Sequence, residues 1–161
     1  MGKIDGIVYC SDAGHTMRFA KLLAEKTGLP MWKRAELPPD KRVIFFGWIR
    51  TGNVVGYQKA AQKAKIAAVC PVGMFKNELI QINGESKDMP VFYLRGGFDI
   101  KLVKGIDWIL MRKTIRRIKN SRPASDEEAE LFHVLLEGAD FVNTEQLDAV
   151  VDWYRNETGV F

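Results

Sequence analysis

The stretch IVYCSDAGHTMRFAKLLAEKTG, residues 7–28, carries a strand, a turn and a helix in immediate succession. Ile7, Val8 and Tyr9 make a continuous apolar run without alternation, the pattern of a strand covered on both faces. From His15 to Lys26 the residues Met17, Phe19, Ala20, Leu22 and Leu23 recur at helical spacing, and Gly28 stands where a left-handed residue ends a helix. Only small and polar residues, Ser11-Asp12-Ala13-Gly14, separate the two elements. A buried strand that feeds straight into a helix opens an α/β domain, and the turn between them presents backbone amides to an anion.

Outward from this unit the same alternation continues. Residues 29–33 read as a short strand, and Leu37-Pro38-Pro39-Asp40 forces a turn. Residues 43–48 and 66–69 are further apolar strands, with Arg50-Thr51-Gly52-Asn53 and a helix at about 54–65 between them. Gln81-Ile82-Asn83-Gly84 reads as a turn or hairpin, and residues 91–94 as a last core strand that ends in Arg95-Gly96-Gly97. Helical patterns cover about 100–119, 125–137 and 144–156. These elements predict a doubly wound α/β domain with a parallel sheet, spanning 1–161, with a helical insertion at about 98–140. The segment 34–42 is too short for a full crossover helix, so one crossover is expected to be reduced to a turn. In such sheets ligands sit outside the carboxyl ends of the strands. The turns at 10–16, 48–53, 70–75 and 95–99 are therefore the candidate site.

Composition narrows the class. The 161 residues are 47% hydrophobic and 27% charged, as in a soluble globular chain. No apolar run approaches the roughly 18 residues of a membrane span, and the N-terminal segment has no signal-peptide pattern, so a cytoplasmic location is expected. The net charge of +4 is unevenly spread. Between 101 and 119 seven basic residues face the single acid Asp107, and Asp126, Glu127, Glu128 and Glu130 follow. Such clustering favours an anionic partner without naming it. Cys10 and Cys70 close two strand runs. If a strand lies between them they stand about 10 Å apart, beyond the ~7 Å reach of a disulfide. The expectation is two reduced thiols and no metal site.

The turn at 10–16 lacks the Gly-Lys-Ser/Thr of a P-loop and the three glycines of a dinucleotide fingerprint. A third device, hydroxyls and backbone amides around a phosphate monoester at a helix N-terminus, suits Ser11-Asp12-Ala13-Gly14-His15-Thr16. The alternative is a helix simply capped by its own Ser or Thr. Here the chain resembles the flavodoxin superfamily, whose first loop has Ser/Thr, any residue, Ser/Thr, Gly, any residue, Thr. Ser11, Gly14 and Thr16 match, and Ala13 departs. Further along, VIFFGWIRTGNVVGYQKAAQKAK at 43–65, IAAVCPVGM at 66–74, PVFYLRGGFDIKLVKGIDWILMRKTIRRIK at 90–119 and NTEQLDAVVDWYRN at 143–156 are similar, in order, to the branch that includes the menaquinone-dependent protoporphyrinogen oxidases.

That resemblance implies strand order 2-1-3-4-5, with FMN as cofactor. It places the phosphate on Ser11 to Thr16 and the isoalloxazine between 48–53 and 70–75. Trp48 and Met74 would wall the ring, and backbone groups of Ile49, Arg50, Thr51, Gly52 and Gly73 would meet its polar edge. Trp48 is equally a core aromatic at a strand end. Arg50 suits a reduced flavin or a substrate carboxylate, or is a solvated loop charge. His15 reads more readily as a first-turn surface residue than as a proton shuttle. His133 reads as structural.

Arg95, Phe98, Trp108, Arg112, Arg116 and Arg117 form the candidate substrate or partner surface. Leu102, Val103, Ile106, Ile109 and Leu110 share one helical stripe, so the first half of 100–119 is expected to pack on the domain. Its remaining apolar and basic residues suit a membrane surface, a quinone-bearing partner or an acidic porphyrin-like substrate. Alternatively the acids of 125–137 neutralise it. The expected function is an FMN-dependent oxidoreductase passing electrons or hydride between an organic donor, porphyrinogen-like by resemblance, and a quinone or other acceptor. The alternatives are a flavodoxin-type electron carrier and a flavin-free binding module. No nucleic acid partner is expected.

Overall fold

The computed structural model describes residues 2–11, 14–74 and 88–160, so Asp12, Ala13 and the turn expected at 81–84 lie outside it. The first unit runs from β1 (Gly6–Cys10) to α1 (His15–Thr27) and β2 (Met31–Lys33). β3 (Arg42–Arg50) turns back into β4 (Asn53–Val54), and α2 (Tyr57–Lys63) leads to β5 (Lys65–Gly73). β6 (Leu94–Arg95) closes the main sheet, which has the order β2-β1-β3-β5-β6 with β4 paired to the end of β3. All its neighbours are parallel except β3 and β4. Counted without the small β4, this is the 2-1-3-4-5 order of a flavodoxin-like doubly wound fold.

Alternate residues of the central strands enter two cores. Ile7, Tyr9, Ile44, Phe46, Ala68 and Cys70 pack with Phe19 and Leu23 of α1 and with Val150 and Tyr154 of α5 (Asp148–Thr158). Val8, Val43, Phe45 and Val69 pack on the opposite face with Tyr57 and Ala60 of α2. Both faces are apolar because both are covered, which is why these strands do not alternate in sequence. Between β2 and β3 the crossover is reduced, as expected, to a single 3-10 turn at Arg34–Glu36. Leu37, 1% exposed, reaches into the α2-side core directly after it.

Three expectations are corrected. The helix expected at 54–65 is shorter, because Val54 belongs to β4 and α2 begins only after Gly56. The strand expected at 91–94 is an edge: Val91 makes an isolated bridge to Val69 and is exposed, and regular pairing is confined to Leu94–Arg95. The helix expected over 100–119 is broken, with a 3-10 turn at Ile100–Leu102 before α3 (Gly105–Lys119). α4 (Asp126–Glu137) follows. A two-stranded ribbon of β7 (Gly97–Phe98) and β8 (Ala139–Asp140) brackets this insertion, and nothing in the residue pattern announces it.

Candidate functional site at the carboxyl edge of the sheet

The strand registers align the carboxyl ends in rows. Cys10, Gly47 and Pro71 stand side by side, and Trp48, Val72 and Leu94 form the next row. Ser11, directly after Cys10, and Trp48, directly after Gly47, thus follow the same row. Trp48 has the parity of Ile44 and Phe46, so it lies on the face that α1 covers.

The turn leaves backbone donors free of intrahelical partners at the start of α1. Gly14 is the N-cap of α1 with φ 85°, and a side chain there would meet open space. Its N–H donates to the Ser11 hydroxyl at 3.1 Å. The Ser11 oxygen accepts that bond, and its own proton remains available to donate. The first intrahelical bond runs from the Arg18 N–H to the Gly14 carbonyl, which leaves the amides of His15, Thr16 and Met17 without an intrahelical acceptor. The first turn of α1 itself contains no acid, and the nearby Asp140 carboxylate is bound by Arg18. Thr16 is only 1% exposed, so its side chain belongs to the packing beneath the turn more than to its mouth.

His15 is buried, contrary to the sequence expectation of a surface residue. A side chain at Gly96 would come within 3.0 Å of the His15 Cβ and 2.7 Å of Val72, so His15, Gly96 and Val72 are packed together beside Trp48's row. Burial lowers the His15 pKa, with the Asp140 and Asp99 carboxylates opposing and Arg18 assisting that shift. The imidazole is therefore neutral at pH 7. Asp140 is bound by the Arg18 guanidinium at 2.7 Å. Desolvation raises the Asp140 carboxyl, but that bond, the Val142 amide and the surrounding positive charge outweigh it and hold the group below its ordinary value.

Beyond Trp48, β3 ends in a two-residue hairpin at Thr51 (φ 48°) and Gly52 (φ 79°), the positive-φ pair that suits the twist of antiparallel strands. The Trp48 carbonyl accepts from the Val55 N–H, so Ile49, opposite Val54, is the intervening position whose backbone groups face away from β4. The hairpin folds close over Gly47, where a Cβ would meet Val54 and the Val55 carbonyl at 2.7 Å. Gly56 similarly lies against Cys10. The Trp48 indole nitrogen is buried and has no hydrogen-bond partner among the described residues. An orphaned buried donor costs about 1–3 kcal/mol, which an acceptor on a bound molecule would offset.

Other expected contacts are committed elsewhere. The Gly73 carbonyl accepts from Gly96, and the Met74 carbonyl from Arg95 Nε at 3.1 Å. Arg95, placed by sequence on a partner surface, is instead turned inward. It binds Glu130 at 2.7 Å, lies 3.7 Å over the Phe141 ring, and its backbone is clamped by Gln146. Phe98 is half-buried in the β7–β8 ribbon. Arg50 is exposed and pairs with Asp107 of α3 at 2.6 Å. Trp108, Arg112, Arg116 and Arg117 are exposed along α3. Cys10 and Cys70 form no disulfide and lie on strands separated by β3, and burial pushes the Cys70 thiol far up.

The structure thus brings together Ser11, Gly14, His15 and Trp48, and adds Val72 and Gly96, which sequence reasoning did not single out. Gly96 was legible only as one of a glycine pair. Among the described residues no cluster of metal-ligating side chains occurs. No family model, curated protein or solved structure matches this chain.

Proposed function

We propose that the carboxyl edge of this sheet binds FMN and that the protein is an oxidoreductase of the flavodoxin-like kind, akin to the protoporphyrinogen-oxidase branch. The observation that supports it best is the pairing of a helix N-terminus with no acid in its first turn and a buried indole N–H, without a partner among the described residues, one residue past the same strand row. A phosphate monoester fits the first, and a planar heterocycle with acceptor atoms at its edge fits the second.

When bound, FMN would supply reversible uptake of electrons, singly or as a hydride with a proton. The chain's own residues bind and shape. The amides at the start of α1 and the Ser11 hydroxyl hold the phosphate oxygens. Trp48 donates its Nε1 proton to an acceptor on the heterocycle. Ile49 offers backbone groups that β4 leaves unused. His15, held neutral by burial, packs the floor without placing a permanent charge there. No side chain in this arrangement acts as an obligatory acid or base, so donor and acceptor would be selected by the surroundings of the pocket. An organic donor and a quinone or comparable acceptor are the classes this reading assigns.

The test is a visible absorption spectrum of the purified protein, with titration by FMN and separately by riboflavin. Flavin bands and a preference for FMN of about tenfold or more, the scale of one or two charge-assisted hydrogen bonds, are expected. Ser11→Ala should reduce that preference. Equal affinity for both flavins would remove the phosphate role of the turn, and no binding of either would end the redox reading.

A further inference from the structure

Sequence periodicity placed Leu102, Ile106, Ile109 and Leu110 against the domain, but the structure turns them outward. Ile106 is 73% exposed, Ile109 50% and Leu110 55%, and Leu102, just before the helix, is also exposed. α3 is held instead by its other side and its far end, where Ile118 is buried, and by the Arg50–Asp107 pair at its first turn.

The outward side is divided along its length. Positions three and four apart on a helix are neighbours, so Ile106, Ile109 and Leu110 continue directly into Lys113, Arg116 and Arg117. All three basic residues are exposed, and Lys101 and Lys104 flank the apolar end. Trp108 lies at the margin of the patch with the Arg112 guanidinium 4.8 Å above its ring. The one acid of the segment, Asp107, is already neutralised by Arg50.

We propose that α3 docks the protein on an anionic lipid bilayer, with Ile106, Ile109 and Leu110 entering the acyl boundary and Lys113, Arg116 and Arg117 resting on the headgroups. An exposed apolar patch continuous with a basic one is the composition of an interfacial helix. Charge complementarity selects the occupant. A two-fold pairing of this face with a second copy would set basic residues against basic residues, whereas an anionic surface attracts every one of them. No helix among the described residues is long and apolar enough to cross a membrane, so the contact is with the surface. The inference does not depend on flavin binding.

The experiment is co-sedimentation of the full chain with phosphatidylcholine vesicles, with and without phosphatidylserine, at low and high salt. Three proteins are compared: the native sequence, Ile106→Ser/Ile109→Ser/Leu110→Ser, and Arg116→Glu/Arg117→Glu. Melting curves and FMN titrations of each report the fold and the other site separately. The native chain should pellet with phosphatidylserine vesicles, and each variant should bind roughly tenfold or more weakly at an unchanged melting temperature. Binding should fall with salt. Native protein left in the supernatant would overturn the proposal, as would equal binding by all three proteins. So would a lipid-independent dimer that the triple serine variant dissociates.

Discussion

At Gly97 the backbone has φ 128°, and a Cβ there would collide with the Ala139 carbonyl across the β7–β8 ribbon. Gly97→Ala is therefore expected to cost about 2 kcal/mol or more in urea unfolding, because neither the backbone angle nor the facing strand can yield without breaking the ribbon. His15 makes a different prediction at the same scale. Its ordinary pKa of 6.5 is lowered in the fold by burial above all. The unfolded chain then takes up a proton that the folded chain refuses, so this contribution to stability is complete above pH 6.5 and declines as the pH falls toward the folded value. Melting temperature should fall on acidification through that window, and His15→Phe should flatten the slope. An unchanged slope in the variant would assign the effect to another group. Each residue was visible in the sequence as a glycine or a histidine near a turn, but the facing atoms that give it meaning come from segments far along the chain.

Between elements, two arginines at strand ends play opposite parts. Arg95 ties the end of β5 to α4 and to the segment before α5, through the Met74 carbonyl, Glu130 and the Phe141 ring, with 17% of its side chain exposed. Arg95→Ala should destabilise the fold by about 1–2 kcal/mol in a denaturant titration, since the part-buried bond to the Met74 carbonyl and the packing of the guanidinium on the Phe141 ring are lost. Arg50 meets Asp107 in an exposed pair, and such pairs contribute about 1 kcal/mol or less. Arg50→Ala should leave global stability nearly unchanged while amide exchange in the first turn of α3 accelerates. Equal costs for the two substitutions would contradict this division. The acids at the start of α4 also have a local purpose: Ser125 accepts from the Glu128 amide, and Glu128 reaches back to the Ala124 amide. Asp126 and Glu127 complete an acidic first turn that suits the helix dipole.

For the whole molecule, the proposed flavin site and the fold are thermodynamically linked. A ligand that binds only the folded chain stabilises it by about 2.7 kcal/mol at a concentration 100 times its dissociation constant. For a domain of this size that corresponds to a rise in melting temperature of roughly 5–10 °C. FMN should produce that rise, and riboflavin at the same concentration a smaller one. A flat melting temperature with FMN would count against the site as a whole, independently of any single residue.

The sequence by itself determined the sheet and its order of construction. The unbroken apolar runs of β1, β3 and β5, the helix between His15 and Gly28, and the short segment after β2 follow from local composition, because a strand buried on both faces must be apolar throughout. The contact of the Gly14 amide with the Ser11 hydroxyl in the first turn was equally legible, since both residues lie within the same few positions. Tertiary structure decided the rest. Whether Trp48 has an acceptor, whether His15 is buried and where Arg95 and Arg50 spend their charges depend on partners from distant segments. The orientation of α3 was the largest difference: helical periodicity shows that Ile106, Ile109 and Leu110 share a face, but only the placement of the neighbouring elements determines whether that face meets protein or solvent.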